Sequence, residues 1–513
     1  MAPDAKNMSG PLDLVLTSAQ MRAAEQALFD RGVDSFALMR DAGRAVADHV
    51  QQFWPGHKVT VLCGPGNNGG DGFIVAELLR QAGRDVTLLA MRPVDGYRND
   101  AAKAAAGWQG TTLPMNHATL ATALAPESLV IDALFGIGLD RPLDDMAVAA
   151  IHRCRQLSLP VVAVDIPSGI SADTGQVLGA AFAASDTVTF GWPKPGHLLL
   201  PGRLHAGRLV VAPLGFDAAC GREAQSRSAV DIRANGLDVW LMHLPRVGAL
   251  DHKYSRGHAL VFGSQAMPGA GRLAARAARR IGAGMLTVAA PAEVLPLYMA
   301  DQPGLIAKPA ARAEDVVEIL MDSRITALLV GSGMLPDDAT REAVLNALAS
   351  ARAAVIDGGG LTAFADRPQE LFGLGRADVV LTPHEGEFAR LFPDLDVELG
   401  KAERARLAAE RSRCTIVLKG ADTVIAQPPS AIGDAQQVRL LINREASPHL
   451  ATAGSGDVLA GLVLGLLAQG MPAFEAAAAA VWFHSEAGFA AGPGLIAEDL
   501  PERIPEIRRL LES

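Results

Sequence analysis

The sequence predicts two α/β domains in tandem, each a mostly parallel sheet flanked by helices. Three observations carry that expectation. Strand-length apolar runs alternate with helix-like segments along most of the chain, which implies βαβ units. The alternation fades once, from Asp217 to Asn235, in a polar and charged stretch. Glycine-rich turns follow several strands, and the carboxyl ends of strands are where open α/β sheets bind ligands. A length of 513 residues leaves room for two to four domains at roughly 100–200 residues each.

Composition narrows the function. Lys+Arg 46 against Asp+Glu 56 gives a net charge of −10, which argues against a general nucleic-acid or polybasic membrane binder. Hydrophobic content of 49% and charged content of 20% are globular values. The cysteines Cys63, Cys154, Cys220 and Cys414 lie far apart, so no zinc knuckle or CxxC motif exists and a reducing compartment is expected. The start, MAPDAKNMSGPLDL, has no apolar core of a secretory signal. The longest apolar run, Val458–Ala468, is too short to span a bilayer and reads as a buried helix. A cytoplasmic location follows as an expectation.

In the first half the strand candidates are Val59–Cys63, Val86–Met91, Leu129–Leu134, Val161–Ile166, Thr187–Phe190 and Leu209–Val211. Ser18 is placed to cap a first helix that stops near Gly32. In the second half they are Ala259–Phe262, Leu286–Ala289, Ala327–Val330, Ala353–Ile356, Val379–Leu381 and Thr415–Leu418, before an Ala-rich helical end from Val458 to about Leu511. The domains are set at 12–219 and 238–511, with 220–237 as linker.

Val59–Cys63 runs into GPGNNGGDG and then into a helical segment. Gly64, Gly66 and Gly69 fit G-x-G-x-x-G in strand–loop–helix context, where glycine lets the backbone approach an anion at a helix N-terminus. The second strand ends at Arg92 without the acidic residue that holds a ribose diol. Asp132, Asp165 and Ser168 follow two further strands. With Asn68 they form an oxygen-only donor set, which suits K⁺, Mg²⁺ or Ca²⁺ over zinc. Each alone could be a cap or turn residue; at three strand ends together they read as one crevice.

In the second half, ATAGSGDVLAG places Gly454, Ser455, Gly456 and Asp457 ahead of an apolar helix. The glycine N–H groups can hold developing phosphate charge, and Asp457 can accept a hydroxyl proton. A plain helix cap is the competing reading. LKGADT offers a turn with Lys419 and Thr423, and LTPHEGEF places His384 at a strand end. No G-x-x-x-x-G-K-[ST] occurs, so the chemistry is not that of a P-loop enzyme. From the residues alone the reading is phosphoryl transfer to a hydroxyl, plus a second anion-binding crevice.

GPGNNGGDG, DALFGIGL and VDIPSG together resemble the NAD(P)H-hydrate epimerase domain, a Rossmann-like fold. The resemblance implies that Asn67, Asn68, Gly69, Gly70 and Asp71 contact the hydrated dinucleotide. It gives the same role to the loop of Gly136, Ile137, Gly138, Leu139, Asp140, Arg141 and Pro142. Asp165 becomes a substrate contact and acid/base catalyst, and Asn68, Asp132 and Ser168 become ligands of K⁺. Some relatives carry a lysine in that loop; here Arg141 supplies the charge.

HK..(R)GHALVFGS, LTPHEGEF, LKGADT and AGSGDVLAG resemble the ribokinase-like superfamily and, within it, the ADP-dependent NAD(P)H-hydrate dehydratase domain. Ala270, Gly333, His384 and Asp457 would then contact the hydrated nicotinamide. Lys419, Gly420, Ala421, Asp422, Thr423, Gly454 and Gly456 would contact ADP or ATP with Mg²⁺, and Asp457 would be the base. Two departures, Gly331-Ser332-Gly333-Met334-Leu335 and Asp357-Gly358-Gly359-Gly360-Leu361-Thr362, predict a looser substrate edge. The resemblance implies repair of NADHX and NADPHX; a homo-oligomer is expected, and the acidic charge argues against a nucleic-acid or membrane partner. The alternative is a ribokinase-type small-molecule kinase fused to a non-catalytic Rossmann-like module, such as a scaffold.

Overall fold

A computed structural model describes residues 13–429 and 437–512; the N-terminal stretch in which a signal was sought lies almost wholly outside these residues. The chain divides into two compact units at Ser228/Ala229.

The first unit holds seven strands: β1 (Lys58–Cys63), β2 (Val86–Ala90), β3 (Thr112–Pro114), β4 (Ser128–Ala133), β5 (Val161–Val164), β6 (Asp186–Phe190) and β7 (Arg208–Ala212). They form one sheet in the order β3-β2-β1-β4-β5-β6-β7, and every pairing is parallel. Alternation along the strands separates two apolar layers. Val59, Val61 and Cys63 of β1 pack with Phe73 and Val50, whereas Leu62 packs with Val130, Ile151 and Cys154. The unit is therefore an αβα sandwich. The order reverses between β1 and β4, the switch point at which such sheets open a crevice.

Thr17, not Ser18, caps the first helix, Ser18–Asp30. Its hydroxyl accepts from Gln20 N at 3.2 Å while Gln20 Oε1 accepts from Thr17 N at 2.9 Å. This reciprocal box places Gln20 three residues beyond the cap.

The second unit holds β8 (Val230–Asn235), β9 (His258–Phe262), β10 (Met285–Ala290), β11 (Ile306–Pro309), β12 (Ala327–Val330), β13 (Ala353–Ile356), β14 (Val379–Leu381), β15 (Thr415–Leu418), β16 (Val424–Ala426) and β17 (Val438–Asn443). Their order is β11-β10-β9-β12-β13-β14-β15-β16-β17-β8. Pairing is parallel as far as β15, and β16 runs antiparallel to both neighbours. The Ala-rich end forms helices Ser455–Ala468, Ala473–Ala491 and Asp499–Glu512. The first is apolar all round and buried from Val458 to Ala468, as its composition predicts.

The expected linker at 220–237 is a correction. It contains most of helix Ala218–Ser226, which belongs to the first unit, and all of β8, which pairs with β17 as an edge strand of the second sheet. Charge at an edge strand is the reason: such a strand keeps a partly solvated side, and VDIRAN alternates half-buried Asp231 and Arg233 with buried Ile232 and Ala234.

Candidate active sites

In the first unit, helix Asn67–Gln81 opens directly on Gly66, so NNGGDG forms the first turns of a helix and not a loop. Close packing is the cause. A Cβ on Gly69 would stand 2.0 Å from the Gly64 carbonyl oxygen, and one on Gly64 would stand 1.6 Å from that of Leu134. Glycine alone lets the helix start sit against the ends of β1 and β4, with its first N–H groups open to an anion.

Asp132, the fifth residue of β4, is fully buried. Its carboxylate accepts from Ser168 N at 2.7 Å, from Ser168 Oγ at 2.6 Å and from Leu134 N at 3.3 Å. Burial raises its pKa to about 6 against those bonds. Ser168 Oγ also accepts from Phe135 N at 2.8 Å, which ties the pair to the loop that begins at Gly136. Asn68 Nδ2 is buried with no partner among the described residues. A buried amide donor without a partner leaves an N–H group there for an acceptor.

Asp165 follows β5 at φ +67, a left-handed conformation costly for a residue with a side chain. The surroundings enforce it. The His197 ring bonds the Asp165 carbonyl oxygen at 3.0 Å, and Asp165 N donates to Val188 O at 2.8 Å. Lys194 Nζ donates to Asp165 Oδ1 at 2.6 Å, to Thr189 Oγ1 at 2.8 Å and to Phe190 O at 3.1 Å. Thr189 Oγ1 donates to the same Oδ1 at 2.9 Å. Burial opposes the charge of Asp165, but the Lys194 ammonium, His197 and Thr189 outweigh it and hold the carboxyl below its ordinary range. Oδ2 is the oxygen turned to the crevice. From the point where a Cβ on Gly136 would stand, Asp165 Oδ2 is 3.5 Å and Asn68 Oδ1 3.1 Å away.

Two more carboxyls lie close enough to feel the charge of Asp165. Asp71, in helix Asn67–Gln81, is buried, and burial followed by the charges of Asp165 and Glu25 raises it well above its ordinary value. Glu25, from helix Ser18–Asp30, is raised by burial and then by Asp165. The crevice thus unites Asn68, Asp71, Asp165 and Gly136, with Asp132 and Ser168 bonded at its floor. Asn67, Gly138, Asp140, Arg141 and Pro142 are exposed, and Ile137 and Leu139 half-buried. Glu25, Thr189, Lys194 and His197 escaped the sequence reading. The one available signal was Lys194 itself, a lysine in an otherwise apolar FGWPKPGHLLL segment after a strand.

In the second unit, four neighbouring strands each deliver a polar residue just past their ends. These are Ser332 after β12, Asp357 after β13, Thr382 after β14 and Lys419 after β15. Asp357 is buried and accepts from Lys419 Nζ at 2.8 Å, Thr382 Oγ1 at 2.7 Å and Ser332 Oγ at 3.0 Å. Lys419 also lies 3.9 Å from Glu387. Burial works against its charge, but Asp357 and then Glu387 hold its pKa above the usual value. Asp357, left outside the predicted site, is its electrostatic centre.

Asp457 is the third residue of helix Ser455–Ala468, whose cap is Gly454 at φ +88; the plain-cap reading of Asp457 fails. Burial and then Asp357 raise its pKa to about 6, while Ser332 and Lys419 pull it down. Ser455 Oγ donates to Leu450 O at 2.8 Å and His484 bonds Ser455 O at 2.9 Å, which fixes the helix start. A cavity of about 490 Å³ opens there, walled by Lys419, Gly420, Ala421, Thr423, Ser455 and Gly456 among others. Asp422 lies in the same turn. Its carboxylate accepts from Lys401 Nζ at 2.6 Å, and with Thr423 Oγ1 donating to Gly420 O at 2.7 Å it shapes the turn.

His384 is exposed, and its Nδ1 accepts from Gly386 N at 3.0 Å, capping helix Glu385–Leu391. Gly333 lies against Ala270: a Cβ there would stand 2.9 Å from Ala270 Cβ and 2.4 Å from Met267 O. Gly331 and Gly333 both have positive φ, so the glycines that the GSGML turn retains are the two its backbone requires. Beyond Met334 a second cavity, of about 450 Å³, reaches Ser264, Gln265 and Arg312.

Two family profiles match the chain: YjeF-related protein N-terminus over residues 35–196, and NAD(P)H-hydrate dehydratase over residues 258–507. A bifunctional NAD(P)H-hydrate repair enzyme of Coxiella burnetii is 32% identical over 98% of this chain and 100% of its own. One of Gloeobacter violaceus is 36% identical over 92% of each. A solved ADP/ATP-dependent NAD(P)H-hydrate dehydratase from Bacillus subtilis, co-crystallised with ATP and Mg²⁺, is 29% identical over 52% of this chain and 94% of its own, at a TM-score of 0.44.

Proposed function

This chain belongs to the bifunctional NAD(P)H-hydrate repair enzymes, and on that premise we propose how its two crevices divide the work. The substrate is NADHX or NADPHX, a nicotinamide hydrated at C6 in two epimeric forms. The first unit interconverts the epimers, and the second dehydrates the S epimer at the expense of ADP or ATP. The observation that carries the reading is Asp457: a carboxyl whose pKa is raised to about 6, at a helix start beside Lys419 and a nucleotide-sized cavity.

In the dehydratase unit the nucleotide lies in the cavity between Lys419–Thr423 and Gly456, with its terminal phosphate over the N–H groups at Gly454–Gly456. Asp457 takes the proton of the C6 hydroxyl, whose oxygen accepts the phosphoryl group. Lys419 neutralises charge beside the transferring group, and Asp357 fixes where that ammonium stands. The ring-nitrogen lone pair then expels phosphate, a far better leaving group than hydroxide. Ala270, Gly333 and His384 flank the nicotinamide, and the cavity beyond Met334 has room for the rest of the dinucleotide. Mg²⁺ accompanies the nucleotide on its phosphates.

In the epimerase unit the dinucleotide pyrophosphate meets the N–H groups of the helix start at Asn67–Gly70, and Asp71 and the loop from Gly136 to Pro142 flank the ring. Asn68, Asp132 and Ser168 would hold K⁺, a fixed positive charge, and Ser168, bonded by Phe135 N, ties this loop to Asp132. Incubation with both NADHX epimers, ADP and Mg²⁺ tests the whole reading. Full return of reduced-nicotinamide absorbance is expected; conversion of only one epimer removes the epimerase, and a persistent phosphate ester favours a simple kinase. Withdrawing K⁺ should slow epimer exchange by about 10–100-fold, the scale of losing a metal-site partner; an unchanged rate removes the cation.

A further inference from the structure

We propose that Asp71 is a second catalytic carboxyl of the N-terminal crevice: it gives a proton to the departing C6 hydroxyl, while the lysine-held Asp165 takes one from the returning water. This rests on the epimerase reading above and assigns its proton steps.

Geometry separates the two carboxyls. Asp165 Oδ1 is saturated by Lys194 and Thr189, and Oδ2 faces Gly136 and Asn68. That is an ionised base with one oxygen free for work. Asp71 has the opposite surroundings. It is only 9% exposed, and no hydrogen bond or ion pair reaches its carboxyl among the described residues. A buried carboxyl without donor or cation holds its proton. The charges that act on it are Asp165 from the end of β5 and Glu25 from the first helix, and Cys63 of β1 feels its charge in turn; Lys194 and Arg22 act on Glu25. The nearest acidic neighbours reinforce protonation, and the one buried ammonium is already bonded to Asp165. Two carboxyls pushed apart in this way mark an acid and a base.

The step balances. The C6–O bond breaks with its electron pair on oxygen, the Asp71 proton joins that oxygen, and water leaves. The ring-nitrogen lone pair forms the C=N bond of an iminium. Water then adds to the opposite face of C6, the C=N pair returns to nitrogen, and the water proton passes to Asp165 Oδ2. Asp71 ends ionised and Asp165 protonated. The reverse conversion runs from that state, and proton exchange with solvent resets the pair.

The test follows epimer exchange in the full chain without nucleotide, by chromatographic separation of the epimers. Asp71→Asn keeps the shape and removes the acid; kcat should fall about 10²–10⁴-fold with KM little changed. Asp71→Ala should recover rate on addition of formate, which a structural role would not allow. The wild-type rate should fall at alkaline pH as Asp71 ionises, and that limb should vanish in Asp71→Asn. Glu25→Gln should cost less than Asp71→Asn. A folded Asp71→Asn at the parental rate overturns the assignment, as does an Asp71→Ala variant that formate cannot restore. A larger loss in Glu25→Gln moves the acid to Glu25. A wild-type chain that exchanges no epimers sinks the epimerase reading itself, so the two failures are distinct.

Discussion

Each candidate site sets a lysine among three carboxyls: buried Lys194 with Glu25, Asp71 and Asp165, and half-buried Lys419 with Asp357, Glu387 and Asp457. The difference lies in which carboxyl the lysine grips. Lys194 is bonded to Asp165 itself and keeps that candidate base ionised. Lys419 is bonded to Asp357, one residue removed from the chemistry, and the pKa of Asp457 is raised to about 6. One ammonium can thus fix a catalytic charge directly, or fix a neighbour and leave the catalytic group poised to exchange a proton.

The largest test of this contrast removes the poised group. Asp457→Asn should abolish coenzyme restoration, by about 10²–10⁴-fold, and leave epimer exchange at its parental rate. Comparable loss of both activities in a folded variant would merge the two sites. Lys194→Met comes next. It strands a buried carboxylate, so Asp165 should take up a proton and epimer exchange should collapse. Urea denaturation should register about 3–5 kcal/mol lost from the first unit, while dehydration of the S epimer persists. Unchanged epimer exchange would mean that Lys194 is structural only.

Gly456→Val probes the phosphate approach. Its Cβ would meet only Lys419 Nζ, at 3.6 Å, so a circular-dichroism melt should match the parent. Nucleotide affinity, read by titration, should weaken at least about tenfold, or 1.4 kcal/mol; normal binding would misplace the anion hole. The smallest effect is a pH shift. The base works ionised, and its raised pKa is about 6, so the dehydration rate should fall as pH drops through about 6. Because Lys419 lowers that pKa, Lys419→Gln should move the acid limb to higher pH. A limb that stays in place would detach the lysine from Asp457.

Much of both sites was legible because glycine and acid clusters directly after apolar runs mark strand ends. That pattern picks out Asn68, Asp132, Asp165, Ser168 and Asp457 as candidates. Lys194 and His197 escape it, because they follow β6 in a proline-rich turn that resembles a structural corner. Asp357 was visible at a strand end, but its importance comes from Lys419, 62 residues later. A turn sequence likewise cannot show that Lys401, 21 residues upstream, bonds the Asp422 carboxylate. The missed strands β3, β8, β11, β16 and β17 are edge strands or members of the antiparallel end. They are short or keep a polar side, so the continuous apolar run that marks a buried parallel strand is absent.

The sequence by itself determined the fold class, the tandem arrangement and the helix starts that receive anions. Those properties reside in local periodicity and in glycine, whose effects reach only a few residues. The tertiary structure alone decided the charge states. Asp71, Asp165 and Asp457 are chemically the same side chain, and what separates them is burial and the lysine brought within reach. Lys194 lies 29 residues from Asp165 and Lys419 62 from Asp357. Proton affinity depends on distance through space and on exclusion of water, and only the folded sheets set either.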